Sequence, residues 1–203
     1  MRDYNWGLED KKRSIPYENS DSDDFNVVET TGNRIYFYSS VSRPKILKLN
    51  KSIASMSTTL SIRASTYSHD PGKISLHINS YGGSVFAGLA AVDYIKTSKV
   101  PIETIVEGCA ASAATLMSVC GHHRKMHKNS CMLIHQLSGH MWGKFEEMKD
   151  DMENSEMLMT KIKGIYKEHT RIPDDVLEDI LKRDIWWDAE TCLNYGLVDE
   201  VIE

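Results

Sequence analysis

Apolar and polar residues alternate from Arg34 to Tyr38 (Arg-Ile-Tyr-Phe-Tyr), the period of a strand buried on one face. Ile46, Leu49, Ile53, Met56 and Leu60 then recur at three-four spacing, which predicts an amphipathic helix. Pro71-Gly72 marks a turn, and beyond it Ile74, Leu76 and Ile78 alternate with Ser75 and His77 up to Asn79, a second strand. The loop Asn79-Ser80-Tyr81-Gly82-Gly83-Ser84 leads into a helix over Val85 to Lys96, with Val85, Leu89, Val92 and Ile95 along one face. Ile102, Thr104 and Val106 alternate with Glu103, Ile105 and Glu107 in a run that Gly108 is expected to stop, and Ala113, Ala114, Leu116 and Met117 favour helix. A short strand follows over Arg124 to Lys128, then a buried strand, Cys131 to His135, ending in a histidine.

The longest pattern runs from Lys144 to about His169. Phe145, Met148, Met152, Met159, Ile162 and Tyr166 keep a helical rhythm that Ser155 interrupts, with acidic residues at its start and lysines at its end, as the helix dipole favours. Such a helix spans about 39 Å, more than a small domain covers, so part of it is expected to meet a partner. Ile172-Pro173-Asp174 opens a shorter helix through Leu181, Asp188 caps another, and Gly196 precedes a last strand over Leu197 to Ile202. Alternating strands and helices predict an α/β fold with a largely parallel sheet, whose ligands gather at the carboxyl ends of the strands.

Length and composition narrow the reading without choosing a function. At 203 residues one domain is expected, and 41% hydrophobic with 26% charged residues is ordinary for a globular chain. Residues 1–25 carry Glu9, Asp10, Glu18, Asp21, Asp23 and Asp24 with little apolar periodicity and are expected to form a mobile or partner-ordered N-terminal arm before a single domain over 26–203. The net charge of −5 argues against a nucleic-acid groove. No apolar run has the length of a membrane span, and the N-terminus lacks the layout of a secretory signal, so the expected location is cytoplasmic. Cys109, Cys120, Cys131 and Cys192 form no Cys-x-x-Cys pair, which suits buried reduced thiols and speaks against a metal site. His122, His123 and His127 are expected in a turn without acidic partners, shaping a solvated loop.

Ser112 sits where a strand gives way to a helix, near unpaired N–H groups that favour developing negative charge. A serine at a helix start is ordinarily an N-cap, and a lone histidine closing a strand is ordinarily structural. Here Ser112, the Gly82-Gly83 loop and His135 all fall at strand ends, and their convergence points to nucleophilic catalysis. Peptide hydrolysis by serine needs a nucleophile, an imidazole base, a carboxylate to hold the imidazole, and N–H donors for the oxyanion. Ser112, His135, and the Gly82-Gly83 loop with the Ala113 N–H supply the first, second and fourth. Spacing alone leaves Asp150, Asp151, Asp184, Asp188 and Asp199 open for the third. The Gly82-Gly83 loop lacks the Gly-Lys-Ser/Thr ending of a phosphate cradle. Cys109 reads as a packed residue rather than a second nucleophile, and Trp186-Trp187 as rings buried against the sheet or walling the pocket.

These residues resemble the proteolytic subunit of the Clp protease, within the crotonase-like superfamily. The resemblance rests on Ile78-Asn79-Ser80-Tyr81-Gly82-Gly83, Gly108-Cys109-Ala110-Ala111-Ser112, Met132-Leu133-Ile134-His135-Gln136, Arg183-Asp184 with Ala189-Glu190, and Tyr195-Gly196-Leu197-Val198-Asp199. It implies a repeated β-β-α superhelix with a protruding handle helix at about 144–169, and a serine endopeptidase with the triad Ser112, His135 and Asp184. It also implies an oxyanion site at Gly82, Gly83 and Ala113, with no metal and no cofactor bound by this subunit. The partners it implies are further copies of the chain in heptameric rings, stacked as a 14-mer through the handle helix. An AAA+ unfoldase that alone uses ATP, and unfolded polypeptide as substrate, complete that set; nucleic acid and membrane are not among them. Tyr81 and Leu137 stand where the family usually has proline, Ala113 where it has methionine, and Lys182 where it often has an acidic residue. Ser75 and His77 replace aromatic residues of the unfoldase-docking pocket. The rival readings are a specialised, for instance viral, maturation protease, a non-catalytic ring scaffold, and an acyl-CoA hydratase or isomerase on the same fold. The Ser112 and His135 pairing speaks against the last.

Overall fold

Strand follows helix along the chain because each apolar stripe needs a facing surface, and a parallel sheet covered by helices provides it. A computed structural model describes residues 27–139 and 143–203 together with the backbone of Asn5 and Trp6. A two-residue strand β1 (Asn5–Trp6) comes first, then the hairpin β2 (Val27–Thr31) and β3 (Arg34–Tyr38). Helix α1 (Arg43–Tyr67), β4 (Ile74–Ser80), the short β5 (Gly83–Ser84), α2 (Val85–Lys96), β6 (Ile102–Ala111) and α3 (Ala113–Val119) follow. Then come β7 (His123–His127), β8 (Cys131–Leu133), the long α4 (Phe145–His169), α5 (Asp174–Ile180), β9 (Trp186–Trp187), α6 (Ala189–Asn194) and β10 (Glu200–Ile202).

The main sheet has the order β10-β7-β6-β4-β3-β2, with β8 also on β6 and β9 on β8. β3, β4, β6, β7 and β10 run parallel, while the β2–β3 and β8–β9 pairs are antiparallel. Register sets the two faces. Ile35, Leu76 and Thr104 lie abreast, as do Phe37, Ile78, Val106 and Met126, and all are buried. On the opposite parity, Ile105 apart, the sheet is mostly polar. Lys73 Nζ meets Glu103 at 2.5 Å, and Lys125 bridges Glu103 and Glu200 at 3.5 and 2.8 Å. His77 Nδ1 lies 2.6 Å from Glu107, which also accepts from the Tyr38 hydroxyl. Burial pushes Glu103 up, but the Lys73 bond and the Lys125 charge outweigh it and hold its carboxyl below the usual range.

Most elements fall where the pattern put them, and the differences have local causes. β6 does not end at Gly108. That glycine takes a positive φ of 72°, the β4–β6 register shifts between Ile78 and Ser80, and the strand runs on so that Cys109, Ala110 and Ala111 pair with β8. Ser155 does not interrupt α4, because its hydroxyl donates to the Asp151 carbonyl at 2.7 Å inside a continuous helix. His123 and His127 lie on β7 rather than in a turn, and they have acidic partners: His123 Nε2 is 3.3 Å from Glu200, and His127 Nε2 is 3.6 Å from Glu107. Among the described residues no group of three or more His, Cys, Asp or Glu is placed to hold a metal. Trp187 stacks on Tyr195, but Trp186 stays exposed against the edge of Tyr81 rather than buried. Of the expected arm, residues 1–4 and 7–25 lie outside the described residues; Asn5 and Trp6 pair antiparallel with Ser84 and Gly83.

Candidate active site

The strand-to-helix turn at Ser112 is built unlike an N-cap. Ser112 has φ 59° and ψ −129°, a region a side chain rarely occupies, and its side chain makes no cap hydrogen bond to α3. The ordinary reading of this serine as a cap is thereby corrected. Backbone hydrogen bonds help hold the strained residue. Its N–H donates to the Leu133 carbonyl at 2.9 Å, and its own carbonyl accepts the Thr115 N–H at 3.0 Å. Ser112 is fully buried, and Ala113 is the first helical residue, one of those whose N–H has no acceptor within its own helix.

Gly82 closes over this turn. A Cβ built on it would lie 2.6 Å from Ser112 Cβ, 2.7 Å from the Ala111 carbonyl oxygen and 3.1 Å from Ala113 N, at a φ of 95°. Only a glycine brings its backbone this close to the serine and the Ala113 amide. Gly82 N–H donates to Ser80 Oγ at 3.1 Å, and its carbonyl accepts the Val41 N–H at 2.8 Å. Gly83 faces the other way, toward Val41, and Ser84 beyond it caps α2 by accepting the Ala87 N–H at 3.4 Å. Gly82→Ala is expected to destabilise the chain by roughly 2–4 kcal/mol, from backbone strain plus the two short contacts, and to cut peptide hydrolysis steeply. A melting curve recorded beside the rate checks both effects.

His135 follows β8 by two residues and is buried, and its Nδ1 lies 3.6 Å from Asp184 Oδ1. The Asp184 side chain is 38% exposed, so one edge of the cluster opens to solvent. Of the other aspartates left open by spacing, two are employed elsewhere. Asp188 accepts the Thr191 N–H at 2.9 Å and caps α6, and that bond holds its carboxyl below the usual range. Asp199 binds the Arg124 guanidinium and its backbone N–H, the latter at 2.9 Å. Asp150 and Asp151 sit in the first two turns of α4, away from β8 in the chain and on its exposed half. Cys109 reads as packed: burial pushes its thiol up.

Three contributors were not legible in the sequence. Ser80 Oγ holds the Gly82 amide, Thr115 Oγ1 donates to the Ser112 carbonyl at 2.6 Å, and Tyr166 Oη lies 2.5 Å from Thr115 Oγ1. Tyr166 belongs to the apolar stripe of α4, and its spacing signalled only burial; the contact spans 51 positions that no local pattern links.

A buried serine on a strained strand-to-helix turn, an imidazole facing a carboxylate, and a glycine backbone laid over the serine are parts that a serine peptidase needs. A family model of the Clp protease matches residues 30–203. The chain is 37% identical over 140 residues to the ATP-dependent Clp protease proteolytic subunit 1 of Chlamydia pneumoniae, covering 66% of this chain and 72% of that one. It is 36% identical over 141 residues to the protein of the same name from Chlamydia caviae, covering 66% and 73%. The chain belongs to the Clp protease family and is a peptidase of the serine type.

Proposed function

We propose that Ser112, His135 and Asp184 act as the nucleophile, the general base and then acid, and the group that orients the imidazole, in hydrolysing peptide bonds of unfolded polypeptide. The approach of Asp184 to His135 Nδ1, beside a serine held in a strained turn, is the observation that carries this reading. Asp184 facing Nδ1 favours the tautomer with its proton there, which leaves Nε2 to accept the proton of the Ser112 hydroxyl as oxygen attacks the scissile carbonyl. At 3.6 Å the pair is looser than a formed hydrogen bond, the usual state of such a pair before substrate closes it. The Ala113 N–H and the Gly82 region receive the oxyanion, and Gly82 shares its amide between that anion and Ser80 Oγ. Collapse of the intermediate passes the proton from His135 to the leaving amine, and water then repeats the sequence on the acyl-serine. No metal and no cofactor enters these steps.

Residues 26–203 work as one peptidase unit in this reading. The relatives' names carry the idea of an ATP-dependent partner, so ATP belongs to a separate unfoldase that supplies extended chain. Assembly into rings, stacked through α4, fits its division. Leu158, Ile162 and Tyr166 are buried in the chain, while Phe145, Met148, Met152 and Met157 in the first half are exposed. Four free thiols suit a reducing compartment, the cytoplasm. A serine-directed fluorophosphonate, followed by peptide mapping, tests the assignment. The expected result is one adduct, on Ser112; absence of an adduct would favour a scaffold, and an adduct on another serine would move the nucleophile.

A further inference from the structure

The peptide unit joining Ser112 to Ala113 presents a carbonyl on one side and the Ala113 N–H on the other. A planar trans peptide points these two groups in opposite directions, so fixing one aims the other. The carbonyl is fixed twice by Thr115, through its N–H at 3.0 Å and its hydroxyl at 2.6 Å. The Thr115 hydroxyl has a single proton, and that proton is on the Ser112 carbonyl. The 2.5 Å contact between Thr115 Oγ1 and Tyr166 Oη is therefore a bond that Tyr166 donates. Thr115 and Tyr166 are both fully buried, and burial raises the phenol well above its ordinary pKa, outweighing the Thr115 bond, which acts the other way. Burial thus keeps the Tyr166 hydroxyl in the protonated form that can donate.

We infer that Thr115 and Tyr166 are positioning residues, a relay from Tyr166 through Thr115 to the Ser112 carbonyl that aims the Ala113 N–H at the oxyanion. The inference rests on Ser112 as nucleophile and Ala113 as oxyanion donor. The strain at Ser112 gives the relay its purpose. The simplest relaxation of φ 59°, ψ −129° is a rotation about ψ, which would swing this same peptide and carry the Ala113 N–H away. Two hydroxyls in series, each polarising the next in a dry interior, oppose that rotation. The relay also ties the buried half of α4 to the turn that bears the serine.

The test is the double variant Thr115→Val/Tyr166→Phe, with each single variant and Thr115→Ser beside it. Either single change that removes one hydroxyl leaves the other buried group short of a partner, whereas the double replaces both by apolar atoms of nearly the same shape. Its melting temperature is expected to stay within a few degrees of the parent. Loss of one oxyanion donor costs about 100- to 1,000-fold, so misaiming one is expected to lower kcat by about 10- to 100-fold, with KM within about twofold. A peptide boronate, which forms a tetrahedral anion on the serine, should weaken by the same factor, and Thr115→Ser, which keeps the hydroxyl, should restore kcat. Parent values of kcat and boronate affinity in the double variant would overturn the relay, as would a fall in kcat without a fall in boronate affinity. Failure of the nucleophile assignment looks different: the boronate would then bind the parent and Ser112→Ala equally.

Discussion

Ser112→Ala is expected to lower peptide hydrolysis by about 10³- to 10⁶-fold while leaving the fold and its assembly intact. The substitution removes one oxygen from a fully buried site and keeps the Cβ, so the contacts of Gly82 with the turn persist and the strained φ of 59° is as unfavourable for alanine as for serine. Chemistry is thereby separated from stability. The residual rate would come from the oxyanion donors and from binding, which survive the change. Initial rates on a fluorogenic peptide, read beside native mass and a melting curve, check the expectation. A rate within tenfold of the parent would place the nucleophile on another residue.

The fold was legible where a periodicity had a single interpretation. Ile74, Leu76 and Ile78 announce β4 by alternation, and the long stripe ending at Tyr166 announces α4, because each pattern matches only one repeat geometry. The end of β6 was not legible. A positive-φ glycine inside a strand and one at its end look alike in a sequence, and only pairing of Cys109 with Cys131 separates them. The site divides in the same way. Ser112, His135 and Gly82 stood out because each falls at the end of a predicted strand, where an α/β fold collects its ligands. The carboxylate did not: five aspartates satisfied the chain order, and choosing among them needed either the family resemblance or a distance. Thr115 and Tyr166 were hidden by their own helices, since a threonine in a first turn and a tyrosine in an apolar stripe are each explained locally.

Asp184→Asn should cost the second-largest share of activity, and its size follows from geometry. An amide in place of the carboxylate can turn its NH₂ toward Nδ1 and stabilise the tautomer protonated at Nε2, which cannot accept the serine proton. A short, buried His–Asp pair loses about 10⁴-fold by this change. Here the separation is 3.6 Å and the carboxylate is 38% exposed, so water competes for it and screens its charge, and a loss of roughly 10²- to 10³-fold is expected in kcat. Asp188→Asn is the control. Asp188 caps α6 through the Thr191 N–H, and asparagine caps a helix about as well as aspartate, so rate and melting temperature should both stay near the parent. Steady-state rates across pH for the two variants decide the matter. A sensitive Asp188 with an indifferent Asp184 would show that the imidazole is held from the start of α6 instead, and that the 3.6 Å approach reflects chain geometry rather than catalysis.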